Sequence, residues 1–394
     1  MSSDGRLRVL ILGLNYAPEL VGIAIYTTGL AEELVRCGHD VRVVAGKPYY
    51  PTWKVPDRFR GGWKRRTKEN GVDLTRVAHY VPARPTGLRR ILHHASFAVS
   101  CVMPLFIRAI VQRPDVVMTI APSLIAAPVA WLAARLVGAK AWLHIQDFEV
   151  EAAMATDLVG RRGFGATLAH WFESYVLCHF DRVSSISSAM CQKCVEKGVR
   201  PERVIEFRNW ADACAISPLE EPSRNHEEWH ISTPTVALYS GNIGNKQGIE
   251  VILAAAHLLK HRNDLTFVVC GEGPNRAALE VEAASLANIL FMDLQPKERL
   301  FDLLSMATVH LLPQIANATN LVFPSKLANM LASGRPIIAT AQEGTLLATE
   351  IAGCGIAVPP DNAGAMADAI LSLVDDPVRL ERMGEQSRIP ASEN

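Results

Sequence analysis

The sequence lacks net charge, because its 394 residues contain 40 Lys and Arg against 40 Asp and Glu. A balanced chain has no general attraction for nucleic acid, so nucleic acid is not expected as a partner. Charged residues make up only 20% of the chain, and hydrophobic residues make up 49%. This composition excludes a disordered chain, and the length is sufficient for two domains with separate cores.

Cysteine pairing and targeting signals are missing as well. The eight cysteines are scattered, mostly among apolar neighbours, as in a cytosolic protein with reduced thiols. Cys191 and Cys194 have CxxC spacing, but no second pair follows at zinc spacing, so no metal site is expected. Residues 1–6 run straight into a predicted strand, so no signal peptide is expected. We therefore predict a cytoplasmic protein.

Only one apolar run, residues 95–111, approaches membrane-spanning length. Pro104 and Arg108 interrupt it, and a spanning helix would split an α/β domain, so a spanning segment is rejected. Two interpretations stay open, namely a buried core helix and a helix lying on an anionic membrane surface. The flank that precedes the run is basic and consists of Arg84, Arg89, Arg90, His93 and His94.

Strands and helices alternate along the chain. Residues 7–14 and 40–45 are predicted strands, and a helix over 24–36 connects them. This βαβ unit predicts a right-handed crossover and a doubly wound parallel sheet. A second alternation begins at the predicted strand 235–239.

The chain is therefore predicted to form two domains. We place Rossmann-like α/β domains at 1–212 and 234–394, joined by a polar, proline-containing linker at 213–233. Ligands of doubly wound sheets bind at the carboxyl ends of the strands, so the loops there are the candidate sites.

Three such loops lie in the first domain. Gly22, in the loop after the first strand, is either a plain turn glycine or a point of close approach to a ligand. Pro48-Tyr-Tyr-Pro-Thr-Trp53 follows the second strand and is either a packed surface loop or an aromatic platform for a sugar. The strand over 140–145 ends in His144-Ile-Gln-Asp147. His144 is either a core histidine or, with Asp147, part of a catalytic site.

The second domain contains phosphate-type loops. Ser240-Gly-Asn-Ile-Gly-Asn-Lys-Gln-Gly248 lies between a strand and a helix, which is the geometry of a phosphate cradle. Gly271-Glu-Gly-Pro274 follows the next strand. Pro324, Ser325 and Lys326 mark the start of a helix, where free amides and one cation favour an anion. An ordinary α/β turn with a solvated Lys326 is the alternative.

These segments resemble the retaining glycosyltransferases of family 4, and most of all the colanic-acid type that builds exopolysaccharide repeat units. The resemblance covers nearly the whole chain. It is carried by Pro-Tyr-Tyr-Pro-x-Trp, Ser-Gly-Asn-Ile-Gly-x-x-Gln-Gly, Gly-x-Gly-Pro, and Pro-Ser-Lys-Leu followed by Ile-Ile-Ala. It implies the GT-B fold, in which two Rossmann-like domains face a cleft.

The resemblance also implies the substrates and the roles of residues. The donor is expected to be a UDP- or GDP-linked sugar, used without a cofactor or metal, and the acceptor a lipid-linked saccharide. Peripheral attachment to the inner face of the plasma membrane would follow from that acceptor. The implied donor-binding residues are Gly241, Asn242, Lys246, Gly271, Glu272, Gly273, Ser325, Lys326 and Asn329. The implied acceptor-binding residues are Glu19, Gly22, Tyr49, Tyr50 and Trp53, and the catalytic residues are Asp147 and His144.

In the family, stabilisation of the departing diphosphate is the main catalytic effect. Here the amides of Gly241 and Ser325, together with Lys326, are expected to supply it. Closure about a hinge at 209–212 is expected to assemble the site.

The sequence departs from the family pattern at a pair of carboxylates. The family has Glu-x7-Glu where this chain has Leu321 and Asn329. Asn329 could still bond a ribose hydroxyl, but Leu321 cannot bond a sugar. Residues 387–394 also suggest a shortened terminal helix. Two alternatives therefore stand beside the transferase, namely a non-catalytic binding paralogue and a GT-B UDP-sugar epimerase.

Overall fold

Two sheets organise the chain. The computed structural model describes residues 5–19, 22–148, 164–209, 223–244, 247–315, 324 and 326–393. The chain divides into two units, Met1–Arg208 and Asn209–Asn394, and each contains its own sheet.

The first sheet has the strand order β3-β4-β2-β1-β5-β6-β7-β8. Its described strands are parallel except β3, which pairs with β4 in the antiparallel sense. The central strands are rich in Val, Ile and Leu because helices cover both of their faces. The strands are β1 (Arg8–Gly13), β2 (Asp40–Gly46), β3 (Lys64–Glu69), β4 (Val72–Val77), β5 (Val116–Ala121), β6 (Lys140–Ile145), β7 (Arg182–Ser185) and β8 (Val204–Glu206).

The helices of the first unit cover opposite faces of this sheet. The connection from β1 to β2 runs in one direction along the sheet, and those from β4 onward run in the other. Right-handed crossovers therefore place α1 on one face and α2 to α5 on the other. The helices are α1 (Ile23–Arg36), α2 (Gly87–Gln112), α3 (Ala127–Val137), α4 (Phe164–His179) and α5 (Ser188–Glu196).

The second sheet has the order β11-β10-β9-β12-β13-β14, with parallel pairing throughout its described strands. Its strands are β9 (Thr235–Ser240), β10 (Leu265–Cys270), β11 (Ile289–Met292), β12 (Val309–Leu312), β13 (Ile337–Thr340) and β14 (Gly355–Val358). Its helices are α6 (Arg224–Glu228), α7 (Glu250–Leu258), α8 (Arg276–Glu282), α9 (Leu300–Ser305), α10 (Leu327–Ala332), α11 (Leu346–Glu350), α12 (Ala363–Val374) and α13 (Pro377–Glu393).

The predicted doubly wound α/β class is confirmed, and most predicted strands agree with the structure to within about two residues. Two details differ. Helix α13 reaches Glu393, so residues 387–393, predicted as a stub, are helical. Within the predicted linker, 224–228 form α6, because Arg299 donates to Asn225 and pairs with Glu228. Residues 210–222, which include most of the predicted hinge, lie outside the described part.

Helix α2 contains the apolar run 95–111 and is fastened to the sheet by an ion pair. Both guanidinium nitrogens of Arg108 contact the carboxylate of Asp73 in β4, at 2.6 and 2.8 Å. Arg108 also donates to Thr75 Oγ1 at 2.7 Å. Burial alone would raise the pKa of Asp73, but its bonds to Arg108 and Arg66 hold that pKa well below its usual range. The inner face of α2 is therefore part of the domain core.

We expect Asp73→Asn to lower the free energy of unfolding by about 3 kcal/mol, because it leaves the buried Arg108 without its counter-charge. Urea denaturation of the whole chain measures this loss. Glu33→Gln is the matched control, because it removes an exposed pair with Arg36 whose side chains are 50% and 80% accessible. That control should leave the free energy of unfolding close to the wild-type value, because exposed ion pairs contribute little. Equal small losses in the two variants would mean that the Arg108 pair does not hold α2 in place.

Candidate active site

Each sheet has a point where successive connections leave in opposite directions. This switch point lies between β9 and β12 in the second sheet and between β1 and β5 in the first. Ligands of open α/β sheets bind beyond the carboxyl ends of the strands at such points. The predicted donor and acceptor loops follow β9 and β1, respectively.

A lysine ammonium lies at the switch point of the second unit. Lys326 Nζ is 3.8 Å from the centroid of the Tyr239 ring and donates to the carbonyl oxygen of Ser240 at 3.2 Å. Tyr239 is fully buried, and its hydroxyl donates to the carbonyl oxygen of Asn242 at 2.6 Å. Burial lowers the pKa of Lys326 to about 7. In the described structure the Lys326 amine thus lies on an aromatic ring, without a carboxylate in contact.

Gly241 clears space for that ammonium. A Cβ at this position would lie 3.3 Å from Lys326 Nζ. The amide of Gly241 donates to the carbonyl oxygen of Cys270 at 2.9 Å. In this structure the donor is used between strands, and the expected contact of this amide with a diphosphate stays a prediction. The contribution of Gly241 is the absence of a side chain beside Lys326.

The two glycine-containing loops of the donor side pack backbone against backbone. A Cβ on Gly271 would lie 1.8 Å from the Gly241 carbonyl oxygen, and one on Gly273 would lie 2.1 Å from the Ile243 carbonyl oxygen. The amide of Ile243 donates to the carbonyl oxygen of Glu272 at 2.8 Å. Only residues without side chains permit this approach. Gly271 and Gly273 therefore brace the loop that carries Gly241.

The other donor-side predictions have different positions. Glu272 pairs with Arg276 at 2.7 Å, and Arg276 also contacts Glu280 and Asp293. Asn242 is half-buried in the loop after β9. Asn329 is half-buried in the first turn of α10, close in sequence to Lys326. Lys246, Ser325 and Leu321 lie outside the described residues.

On the acceptor side, Glu19 connects two loops. One carboxylate oxygen accepts from the amides of Tyr49 and Tyr50 at 2.8 and 2.9 Å, and the other accepts from Asn15 at 2.9 Å. Burial raises the pKa of Glu19, which is 6% exposed. Its carboxylate therefore holds the loop after β2 against the loop after β1. Gly22 precedes α1 with φ of 66°, and no atom lies within 4 Å of a Cβ built there.

The aromatic loop after β2 packs on two histidines. The Tyr49 ring lies 4.6 Å from His93, 5.4 Å from His79 and 5.2 Å from Trp53, between centroids. His93 belongs to the first turns of α2 and is fully buried. Tyr49 is thus an inner support, and the half-buried Tyr50 and Trp53 are the members with accessible surface. Sequence reasoning missed His93, because its only signal was its place in a basic flank.

His144 lies in a closed hydrogen-bond network at the end of β6. Its Nδ1 contacts Ser184 Oγ and its Nε2 contacts Gln146 Nε2, both at 2.9 Å. This arrangement assigns the Nδ1–H tautomer, with Nε2 accepting from the Gln146 amide. Burial lowers the pKa of His144 to about 4. At neutral pH the ring is uncharged and both nitrogens are used, so it suits positioning better than proton transfer.

Asp147 follows the same strand and is partly exposed. It is the better placed of the two predicted catalytic groups, because a carboxylate at the sheet edge can reach a ligand. The assignment of Asp147 and His144 to catalysis stays a prediction.

The fold and these loops define a class of protein. Sucrose-phosphate synthase from Thermosynechococcus elongatus matches with a TM-score of 0.74 at 15% identity, covering 98% of this chain and 94% of that chain. HepE from Anabaena, in complex with UDP-glucose, matches with a TM-score of 0.68 at 13% identity, covering 98% and 94%. At such low identity these matches show the fold alone. It is the GT-B fold of glycosyltransferases, as predicted.

Sequence comparisons define the family within that class. Residues 21–210 match the family model of the glycosyl transferase 4-like domain, and residues 223–389 match that of glycosyl transferases group 1. A protein of Escherichia coli (strain K12) designated colanic acid biosynthesis glycosyl transferase WcaI is 37% identical over 374 residues, covering 92% of this chain and 91% of that protein. The chain therefore belongs to the glycosyltransferase 4-like family and is a glycosyltransferase. The resemblance stated from its motifs is confirmed.

We expect Lys326→Ala to weaken UDP binding by roughly ten- to a hundredfold, because a charge-assisted bond to a diphosphate contributes about 1.5–3 kcal/mol. Isothermal titration calorimetry measures the affinity. Lys326→Met is the matched variant, because it keeps an apolar stem on Tyr239 and removes only the charge. Both variants should lose a similar factor. Unchanged affinity in folded Lys326→Met would show that the ammonium does not contact the diphosphate.

Proposed function

We propose that this chain transfers a hexose-type sugar from a UDP- or GDP-sugar to a lipid-linked saccharide, with retention at the anomeric carbon. The transfer serves exopolysaccharide or cell-envelope polysaccharide synthesis on the inner face of the plasma membrane. The observation that carries the donor half is the Lys326 ammonium over Tyr239 at the switch point of the second sheet.

The position of Lys326 supports binding of a diphosphate. Its burial has a cost, because a desolvated ammonium is less stable than one in water. An anionic ligand in contact with Nζ offsets that cost and favours the charged form. A diphosphate leaving group gains negative charge as the glycosidic bond breaks, so the same contact stabilises the transition state.

The proposed reaction uses no metal and no resident cofactor. Lys326 and the helix start after it supply positive charge, and Ser325 and Lys246 are proposed to add to it. Asn329, at the same helix start, is proposed to bond a ribose hydroxyl in place of the family's second Glu.

The acceptor is assigned to the first unit. Tyr50 and Trp53 present aromatic surface beside the carboxyl edge of the sheet, and such faces pack against sugar rings. Glu19 and Tyr49 hold that loop from beneath. The colanic-acid designation of the E. coli relative supports a growing polysaccharide unit as the acceptor. A saccharide on a lipid carrier is the form in which such a unit stays at a membrane.

Asp147 is proposed to orient the acceptor hydroxyl, and His144 to hold the strand end from which Asp147 projects. We expect Asp147→Asn to lower kcat by about a hundredfold, since a positioned proton acceptor contributes roughly that factor. Donor affinity, measured by calorimetry on the same preparation, should stay unchanged. Joint loss of turnover and donor affinity would place Asp147 on the donor side instead.

The function itself is tested with a panel of UDP- and GDP-sugars. We expect one donor to bind and to be consumed only when a lipid-linked saccharide is added, and NMR of the product should show the anomeric configuration of the donor. Conversion of the sugar without acceptor would identify an epimerase. Absence of binding to every donor would identify a non-catalytic paralogue, and an inverted product would exclude the retaining mechanism.

A further inference from the structure

The outward face of α2 is apolar along most of its length. Leu88, Leu92, Val99, Met103 and Ile110 follow each other at spacings that keep them on one side of the helix, and each is 50% to 74% exposed. The opposite side packs on the sheet through Phe97, Cys101 and Leu105, all fully buried. α2 is therefore apolar on both sides, and only the inner side has a partner in the described structure.

The two neighbouring helices continue this exposed surface. α3 packs against α2 and against α4, and all three lie on the same face of the sheet. Leu132 and Leu136 of α3 are 50% and 60% exposed. On α4, the Trp171 and Tyr175 rings stack with centroids 5.3 Å apart and are 60% and 49% exposed. A surface of this extent is unusual for a face that meets only water.

The fully exposed charges that the structure describes on this surface are positive. In the described parts of α2, α3 and α4 the only carboxylate is Glu173, whose side chain is 1% exposed and pairs with Lys197 at 2.6 Å. Among the described residues, the fully exposed charged side chains on these helices and at their ends are cationic, and the partly accessible Asp115 and Asp181 beyond α2 and α4 each pair with a cation, Arg8 and Lys140. The exposed cations are Arg84, Arg89, Arg90, Arg113 and Arg135.

We propose that the outer faces of α2, α3 and α4 form a docking surface for an anionic lipid bilayer. Apolar side chains flanked by arginines, with aromatic rings among them, suit the boundary between headgroups and acyl chains. A second copy of the chain fits less well, because a self-complementary contact would bring the same arginines together.

The helix lies on the bilayer and does not cross it. Among the described residues, α2 is the one helix whose length and apolar composition would allow it to span a membrane. Its inner side, however, is fixed to the sheet through Arg108 and Asp73, so insertion would expose a buried ion pair to lipid. Only the outer side of α2 is available for contact.

The docking surface adjoins the acceptor loop. His93, in the first turns of α2, packs on Tyr49 at 4.6 Å between ring centroids, so the basic end of α2 lies beside the aromatic loop. A docked bilayer would present headgroups next to that loop. The idea that these headgroups deliver an acceptor to the loop rests on the proposed function, whereas docking itself does not require catalysis.

Co-sedimentation with vesicles of equal parts phosphatidylglycerol and phosphatidylcholine tests the surface. The wild-type chain should bind these vesicles, bind pure phosphatidylcholine less, and be released at high salt. Val99→Asn with Val111→Asn, at positions 74% and 70% exposed, should weaken vesicle binding about tenfold or more. The matched control is Val281→Asn with Val378→Asn in the second unit, at 78% and 77% exposure, which should bind as the wild type does.

Three outcomes would overturn the proposal. The first is a wild type that ignores anionic vesicles at every salt concentration, and the second is equal vesicle binding by the two double variants. The third is a dimer that light scattering detects in the absence of lipid and that the Val99 and Val111 substitutions dissociate. That result would assign this surface to a second copy of the chain. UDP calorimetry on the same variants separates the two proposals, because vesicle binding without any donor binding would preserve the docking surface and contradict the transferase function.

Discussion

The donor side of this protein depends on one interaction, the Lys326 ammonium held over the buried ring of Tyr239. The partners are far apart in sequence, since Lys326 also bonds the Ser240 carbonyl across 86 positions. Gly241 leaves room for the ammonium, and Gly271 and Gly273 let two loops pack closely enough to keep Gly241 in place. The result is a cation that is partly removed from water and aimed at the end of the central strands. Such a group is most stable when an anion joins it.

The first unit organises its candidate site by a different means. Glu19 there acts inside the protein, where it holds the backbone of Tyr49 and Tyr50, and His93 of α2 supports the Tyr49 ring. The same helix is anchored to β4 by Arg108 and has an apolar outer side. One long helix therefore links the sheet, the aromatic loop and the outer surface. The contacts of its inner side support the interpretation of the 95–111 run as a core helix, and the interpretation as a helix lying on an anionic membrane stays a prediction.

Much of the fold could be predicted because buried parallel strands appear in the sequence as short apolar runs that end in glycine or polar residues. The phosphate-type loops were recognisable by their glycines. The structure shows that close backbone contacts require Gly271 and Gly273. The polar strand β3 could not be found, because its edge position removes the apolar pattern. Side-chain partners were also hidden. Nothing in the sequence indicates that Lys326 meets Tyr239, that His93 meets Tyr49, or that Gly241 donates its amide to Cys270.

The most direct test of the central claim is proton uptake on UDP binding, measured by calorimetry near pH 8 in buffers of different ionisation enthalpy. Burial lowers the pKa of Lys326 to about 7, so at pH 8 most of the free protein has a neutral Lys326. A bound diphosphate favours the ammonium, so the protein should take up about one proton when UDP binds. The Lys326→Met substitution should abolish this uptake. If UDP binds tightly with the same proton change in both proteins, Lys326 is not the diphosphate contact.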